Sequence, residues 1–259
     1  MKRIFCLFCA VALMVSCSVK EDRMPCPAYI HPMVSEFPDD GNVLVTVKME
    51  GRLIYQEIVT RDEFENPDYE IMVPRGYLDV AVTTGIDKMV LKSADVLSTD
   101  RVSEADKLSS YNQQFYVTKE KENVVAKPEK QFTRVYFDIL GESPDFEMTV
   151  GGDWAGMNAF TMASVRGPYS VNITKDMIVN GEYVFVMARQ GDYTLKLFIN
   201  EPGKSFRTIE LGELIQKAGY QIDAPVLADV HVTIDLTRGI ISIKVGDWGE
   251  IVSFNIVTI

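Results

Sequence analysis

The side chains best suited to covalent or metal chemistry are few: four cysteines and two histidines, His31 and His231. Cys6 and Cys9 fall inside an apolar N-terminal run. Cys17 closes that run within "MVSCSVKED", residues 14–22, where the apolar stretch gives way to charge. A thiol at such a border could carry an acyl chain. Cys26 and His31 lie five apart among prolines, without the second ligand pair a zinc site needs. His231 alternates along one strand face with Asp229, Thr233 and Asp235, an arrangement a metal could use but one that usually means only an exposed polar face.

The context of Cys17 sharpens its reading. Lys2 and Arg3 precede an uncharged apolar segment, Ile4 to Val15. About twelve residues are too few for roughly 30 Å of hydrocarbon. They match the hydrophobic region of a secretory signal, which is removed together with Cys6 and Cys9. Met14, Val15 and Ser16 before Cys17 resemble a bacterial lipobox, with Met14 where leucine is usual. There a lipid such as palmitate joins the thiol and the chain is cut just before the cysteine. A signal peptide over 1–16 and lipid on Cys17 are therefore expected. The alternative is an ordinary signal cut elsewhere, with Cys17 incidental. Each buried CH2 anchors by about 0.8 kcal/mol, so several acyl chains hold firmly. Lys20, Glu21 and Asp22 resemble the lysine-plus-two-acids signal that exports lipoproteins to the cell surface in Bacteroidetes.

No established catalytic motif accompanies these residues. H-E-x-x-H, G-x-S-x-G, a phosphate-binding loop and paired CxxC are all missing from the sequence. "VGGDWAG", residues 150–156, is glycine-rich but lacks the lysine and Ser/Thr of a phosphate loop, and reads as a turn with Trp154 capping a core edge. "NIT", 172–174, matches a eukaryotic glycosylation acceptor and carries no weight in a bacterial chain. Sequence alone identifies no carboxylate pair of glycosidase type. A non-enzymatic protein with no cofactor and no metal is expected.

The chain has 259 residues, enough for one large β domain or two smaller ones, and its 47% hydrophobic content excludes a disordered chain. Its formal charge is −11, and loss of the signal's Lys2 and Arg3 makes the mature chain more acidic still. Such acidity argues against nucleic acid as a partner, because binding it requires neutralising phosphates. After processing only Cys17 and Cys26 remain, so the fold does not depend on an internal disulfide; Cys26 reads as a free thiol.

The elements that must position any site are strands. Residues 17–40 carry Pro25, Pro27, Pro32 and Pro38 and read as a lipidated tether. Beyond it, period-two alternation of β-branched residues marks half-buried strands. It appears at Val43–Val45–Val47–Met49, opposite Thr46 and Lys48, and again at Leu78–Val80–Val82. It returns at Val135–Phe137–Ile139, Tyr183–Phe185–Met187, Tyr193–Leu195–Leu197–Ile199 and Val230–Val232–Ile234. "RQGD", 189–192, reads as a hairpin turn between two of these. Leu211, Leu214, Ile215 and Ala218 form a helical stripe within 209–219, and a weaker helical turn is expected around Ser103–Ser109. The charged, proline-bearing run at 119–130 places a boundary between an N-terminal β-sandwich domain over 41–127 and a C-terminal one over 128–259.

The C-terminus, "IISIKVGDWGEIVSFNIVTI", is strand-like to its last residue. An unpaired strand of this composition is an aggregation hazard. Ile251, Val252, Phe254, Ile256 and Ile259 therefore either complete their own domain or form a donor strand for another subunit.

Four stretches together resemble the FimB-like anchor subunits of Bacteroidales fimbriae, within the fimbrillin superfamily. They are "SCSVKEDRMPCP" (16–27), "YEIMVPRGYLDVAVTTGI" (69–86), "VVAKPEKQFTRVYFDILG" (124–141), and the "IELGELIQKAGY" helix with the closing "VGDWGEIV". Anchors of this group often have a second cysteine after C-P, where Ala28 stands here. The resemblance implies an all-β fold of two tandem transthyretin-like β-sandwich domains, with one short helix in the second. It implies fimbrial structural subunits as partners and a surface-exposed place on the outer membrane. In that family polymerising subunits lose an N-terminal strand to proteolysis, which opens a groove for a neighbour's strand, whereas an anchor keeps its strand and its lipid. Val43–Met49 would be the retained strand, and cleavage at Arg61 or Arg101 would instead mark a polymerising subunit. The other reading of the same surface lipoprotein is glycan binding, for which Trp154 and Trp248, both in Gly-Asp-Trp turns, are the available tryptophans.

Overall fold

The computed structural model describes residues 26–37, 41–93, 95–98, 104–140, 146–203, 205–247 and 249–256. Cys17, Lys20, Glu21, Asp22, Arg101, Ser103, Trp248 and Ile259 lie outside them. The first half holds β1 (Ala28–Val34), β2 (Asn42–Met49), β3 (Arg52–Val59), the one-turn helix α1 (Arg61–Phe64) and β4 (Ile71–Val73). It continues with β5 (Gly76–Ile86), β6 (Val90–Ser93), β7 (Val96–Ser98), β8 (Ser109–Val117), β9 (Lys121–Ala126) and β10 (Glu129–Lys130). The second half holds β11 (Phe132–Leu140), β12 (Glu147–Asn158), β13 (Ser164–Thr174), β14 (Glu182–Ala188), β15 (Lys196–Asn200) and β16 (Arg207–Ile209). Helix α2 (Leu211–Lys217) and strands β17 (Val230–Asp235), β18 (Ile240–Val245) and β19 (Val252–Asn255) complete it. The fold is all-β, as the alternation predicts.

Two sandwiches result. A three-stranded sheet, β4-β1-β9, faces a five-stranded sheet, β10-β8-β5-β2-β3. Alternate residues of both sheets, among them Ile30, Ile71, Val124, Val45, Leu78 and Val80, fill one apolar core, with Phe64 of α1 closing an end. In the second sandwich β14-β11-β17-β18-β19 faces β16-β15-β12-β7-β6, to which β13 adds by pairing with β12. Val135, Phe137, Met148, Leu197, Val232 and Ile243 lie in its core.

The chain leaves the first sandwich through β10 and enters the second at Phe132. The expected division at 127/128 is also crossed in the other direction. Strands β6 and β7, from the first half, pair with each other and with β12 of the second sandwich. A third apolar cluster fills the seam and includes Leu44, Ile86, Leu97, Leu108, Phe132 and Met157. Beside it Lys48 pairs with the buried Asp95, and Gln56 bridges Thr46 and Asp95 at 3.1 and 3.3 Å. Thr46, on the face the alternation assigns to solvent, is 1% exposed because the second sandwich covers it.

The structure corrects several local readings. Residues 28–34 are a strand, not tether. Residues 104–108 are non-helical, and β8 starts at Ser109. A short helix, α1, occurs in the first half as well as the second. "VGGDWAG" lies inside β12, whose register against β13 shifts around Trp154, so the glycines serve a bulged strand and not a turn. "RQGD" is not a hairpin: β14 and β15 belong to opposite sheets, and 189–195 crosses between them. Gly191 is required there, since a Cβ would stand 2.5 Å from the Trp154 ring. Helix α2 presses Gly212 onto that same crossover, donating its N–H to the Leu195 carbonyl at 2.8 Å.

Arg189 fixes this crossover. Its guanidinium is buried, and donates to Gln131 Oε1 at 3.0 Å and to the Ile222 and Ala224 carbonyls at 2.7 Å each. Burial holds its pKa below the ordinary arginine value. Nearby, burial pushes the Tyr220 phenol up to about 12, while its hydroxyl meets Thr133 Oγ1 at 2.5 Å. Removing the guanidinium leaves the buried Gln131 Oε1 without its donor and frees the part-buried Ile222 and Ala224 carbonyls of the 222–225 segment. Arg189→Met is expected to lower the unfolding free energy by about 3 kcal/mol in urea titrations. A change under about 0.5 kcal/mol, the range of ordinary surface substitutions, contradicts this role.

Candidate functional site

The two terminal strands differ sharply in how they are held. β1 sits in the middle of its sheet, antiparallel to β4 through Ala28↔Val73 to Ile30↔Ile71, and parallel to β9 from Tyr29↔Lys121 to Val34↔Ala126. Ala28, Ile30 and Pro32 point into the core, and Tyr29, His31 and Met33 point away from it. Burial of the Ile30 side chain is worth about 1.5–3 kcal/mol. A proline in a central strand is unusual because it cannot donate to a ladder. Here Tyr29 N–H and Ser35 N–H donate toward β9, to Glu120 O at 2.8 Å and Ala126 O at 3.2 Å. Even-numbered positions of the strand therefore face β4, whose pairing ends at Ile30. Pro32 lies beyond that end, where no donor is needed.

Side chains clamp both ends of β1. Arg75 donates to Cys26 O at 3.1 Å and to Thr118 O at 2.7 Å. His31 Nδ1, as N–H, donates to Tyr69 O at 2.7 Å. Past the strand, Phe37 meets Phe64 edge-on at 5.9 Å and lies 4.4 Å beneath the Arg61 guanidinium. The Tyr69 phenol, 3.0 Å from Tyr55 Oη, is pushed up mainly by burial. The first strand among the described residues is thus β1. Val43–Met49, expected as the retained N-terminal strand, is β2, flanked by β3 and β5 in the other sheet.

β19 is an edge strand. Among the described residues it pairs only with β18, from Ile240↔Asn255 to Ile243↔Val252, with a Ser242–Ser253 hydroxyl contact of 2.8 Å. Ile256 N–H donates to Gly239 O at 2.7 Å. Val252, Phe254 and Ile256 are half-buried, and Ile251 is 70% exposed. Of the two readings of the C-terminus, the structure displays the one in which the segment pairs within its own sheet. Its outer edge has no partner strand among the described residues.

The remaining candidates have structural roles. The His231 ring stacks on Tyr136 at 4.4 Å and 7°. Asp229 pairs with Lys130 and accepts the Arg134 N–H at 2.8 Å. Trp154 is half-buried between Arg166, 5.1 Å away, and Gly191, so it is not an open platform. The buried carboxylates are likewise occupied. Asp106 accepts the N–H groups of Asp87, Lys88 and Met89 at 2.7–3.0 Å, Asp95 holds Lys48, and Glu201 holds Arg207.

β1 is masked in the sequence by its prolines, although Ala28–Ile30–Pro32 alternates with Tyr29–His31–Met33. β6 and β7 are too short to show a period.

No protein-family model matches the sequence, and no curated protein does. Solved structures do. The fimbrial anchor protein Mfa2 from Porphyromonas gingivalis superposes with a TM-score of 0.61 at 10% identity, over 86% of this chain and 99% of that one. A candidate polysaccharide-binding protein from Bacteroides thetaiotaomicron gives 0.59 at 10% identity, over 88% and 98%. A candidate adhesin from the same organism gives 0.56 at 13% identity, over 90% and 99%. At such identities the likeness is one of fold, and it spans both sandwiches.

Proposed function

We propose that this chain is a non-enzymatic, surface-exposed lipoprotein of the outer membrane that serves as the anchor or an accessory subunit of a fimbria. The observation that carries the reading is β1. A short run of chain separates Cys17 from a strand seated between β4 and β9, so an acyl group on Cys17 would be tied directly to the core of the first sandwich. The fold shared with a fimbrial anchor protein supports the same assignment.

In this reading, acyl chains on Cys17 insert in the membrane, and Lys20, Glu21 and Asp22 direct the protein outward. Because β1 fills its own slot, the first sandwich offers no groove to another subunit, and the fibre ends there. Contact with the next subunit falls to the second sandwich. β19 has one ladder where β1 has two, and its side chains are half-exposed. As an edge strand it leaves one side open to a neighbour's sheet, and main-chain pairing there would give both affinity and register. Partners are fimbrial structural subunits; nucleic acid is disfavoured by the −11 charge.

Intact mass and N-terminal analysis of the protein from native membranes should find a chain beginning at acylated Cys17 and retaining residues 28–34. A chain beginning after a basic residue, without lipid and without β1, would overturn the anchor reading. Deletion of residues 251–259 should weaken co-purification of fibre subunits by at least about tenfold while circular dichroism stays unchanged. Undiminished co-purification would remove β19 from the joint.

A further inference from the structure

The outer face of the β10-β8-β5-β2-β3 sheet is only partly covered by the second sandwich. At the covered part, Lys48 reaches Asp95 and lies 4.1 Å over the Phe160 ring, and Asn112 donates to the Phe160 carbonyl at 2.6 Å. Toward the other end of β5 and β8 the sheet carries Tyr77 and Tyr116, directly opposite each other in register. They are 61% and 51% exposed. Their rings touch, with centroids 4.5 Å apart and planes tilted by 39°. Neither phenol hydroxyl is hydrogen-bonded to another described residue.

The next pair on the same face is Asp79 and Gln114, since side chains two apart along a strand share a face. Gln114 Nε2 donates to Asp79 Oδ1 at 3.2 Å. The patch therefore joins an exposed aromatic surface to a planar carboxylate–amide pair that retains unused acceptors. Lys48, the basic residue paired with Asp79, is already committed to Asp95.

We propose that Tyr77 and Tyr116 form a stacking platform for uncharged glycan rings, with Asp79 and Gln114 receiving ring hydroxyls. A pyranose presents a face of C–H groups that suits an aromatic ring, and an edge of hydroxyls that suits an amide and a carboxylate. With centroids 4.5 Å apart the two rings lean on one another, so a sugar ring would stack on an outward face of one while the other holds it in place. Asp79 and the chain's acidity select against anionic polysaccharides and nucleic acid. A cross-strand aromatic pair also stabilises its sheet, by about 0.2–1 kcal/mol. That role alone would leave the rings indifferent to sugar. The proposal does not rest on the fimbrial reading, because the platform needs only a surface location.

The test is affinity electrophoresis of the soluble chain, from residue 18 onward, through gels containing amylopectin, galactomannan, xyloglucan or, as an anionic control, polygalacturonate. At least one neutral polymer should retard the wild type while polygalacturonate does not. Tyr77→Ala and Tyr116→Ala should each weaken that retardation by about tenfold, the scale of one lost stacking contact. Tyr77→Phe should preserve most of it, and denaturant midpoints verify that the variants are folded. The proposal fails if no neutral polymer retards the protein, or if both alanine variants are retarded like the wild type. It fails equally if the alanine variants lose fibre-subunit association while the wild type ignores every glycan, which would make the patch a protein contact.

Discussion

A strand with partners on both sides cannot leave without opening two ladders and a core at once, and β1 is held in this way. Without it β4 and β9 would face each other across an empty position, and Ile71, Val73, Val124 and Ala126 would lose the side chains that pack against them. The rest of the first sandwich therefore depends on a segment from the very start of the described chain. That dependence connects the fold to the proposed role, because it places the structural keystone next to the residue expected to bear lipid.

The seam between the sandwiches carries this constraint further. β6 and β7 leave the first half of the chain to extend the sheet built on β12, and the third apolar cluster seals the gap they cross. The Lys48–Asp95 pair and Gln56 satisfy the polar groups caught there, which would otherwise carry a burial cost. The halves do not behave as beads on a string. The open face bearing Tyr77 and Tyr116 continues from that seam along the same sheet.

Much of the fold could be read from alternation. Val43–Met49, Leu78–Val82, Val135–Ile139, Val230–Ile234 and Ile241–Val245 all lie in strands, and the apolar stripe from Leu211 to Ala218 marks α2. Pairing was less legible because it is settled by distant chain. The parallel pairs β1–β9 and β11–β17 join segments far apart in sequence, and no local pattern announces them. "RQGD" has the residues of a hairpin, yet Arg189 and Gly191 serve a crossover defined by Trp154, Gln131 and the 222–225 carbonyls. Prolines made 28–34 resemble a tether; only the end of β4 at Ile30 shows why Pro32 is tolerated. The Tyr77–Tyr116 platform was invisible for the same reason, since register alone brings the two rings together.

Native-state hydrogen exchange of residues 28–34, read by mass spectrometry on the folded chain, tests the claim about β1 most directly. The account predicts that Tyr29 and His31 amides exchange as slowly as those of Val80 and Val82 in β5, through global opening of the sandwich. Exchange of β1 on the timescale of the exposed 65–70 segment, while β5 stays protected, would contradict it. β1 would then be a loosely docked arm, and the first sandwich would stand without it.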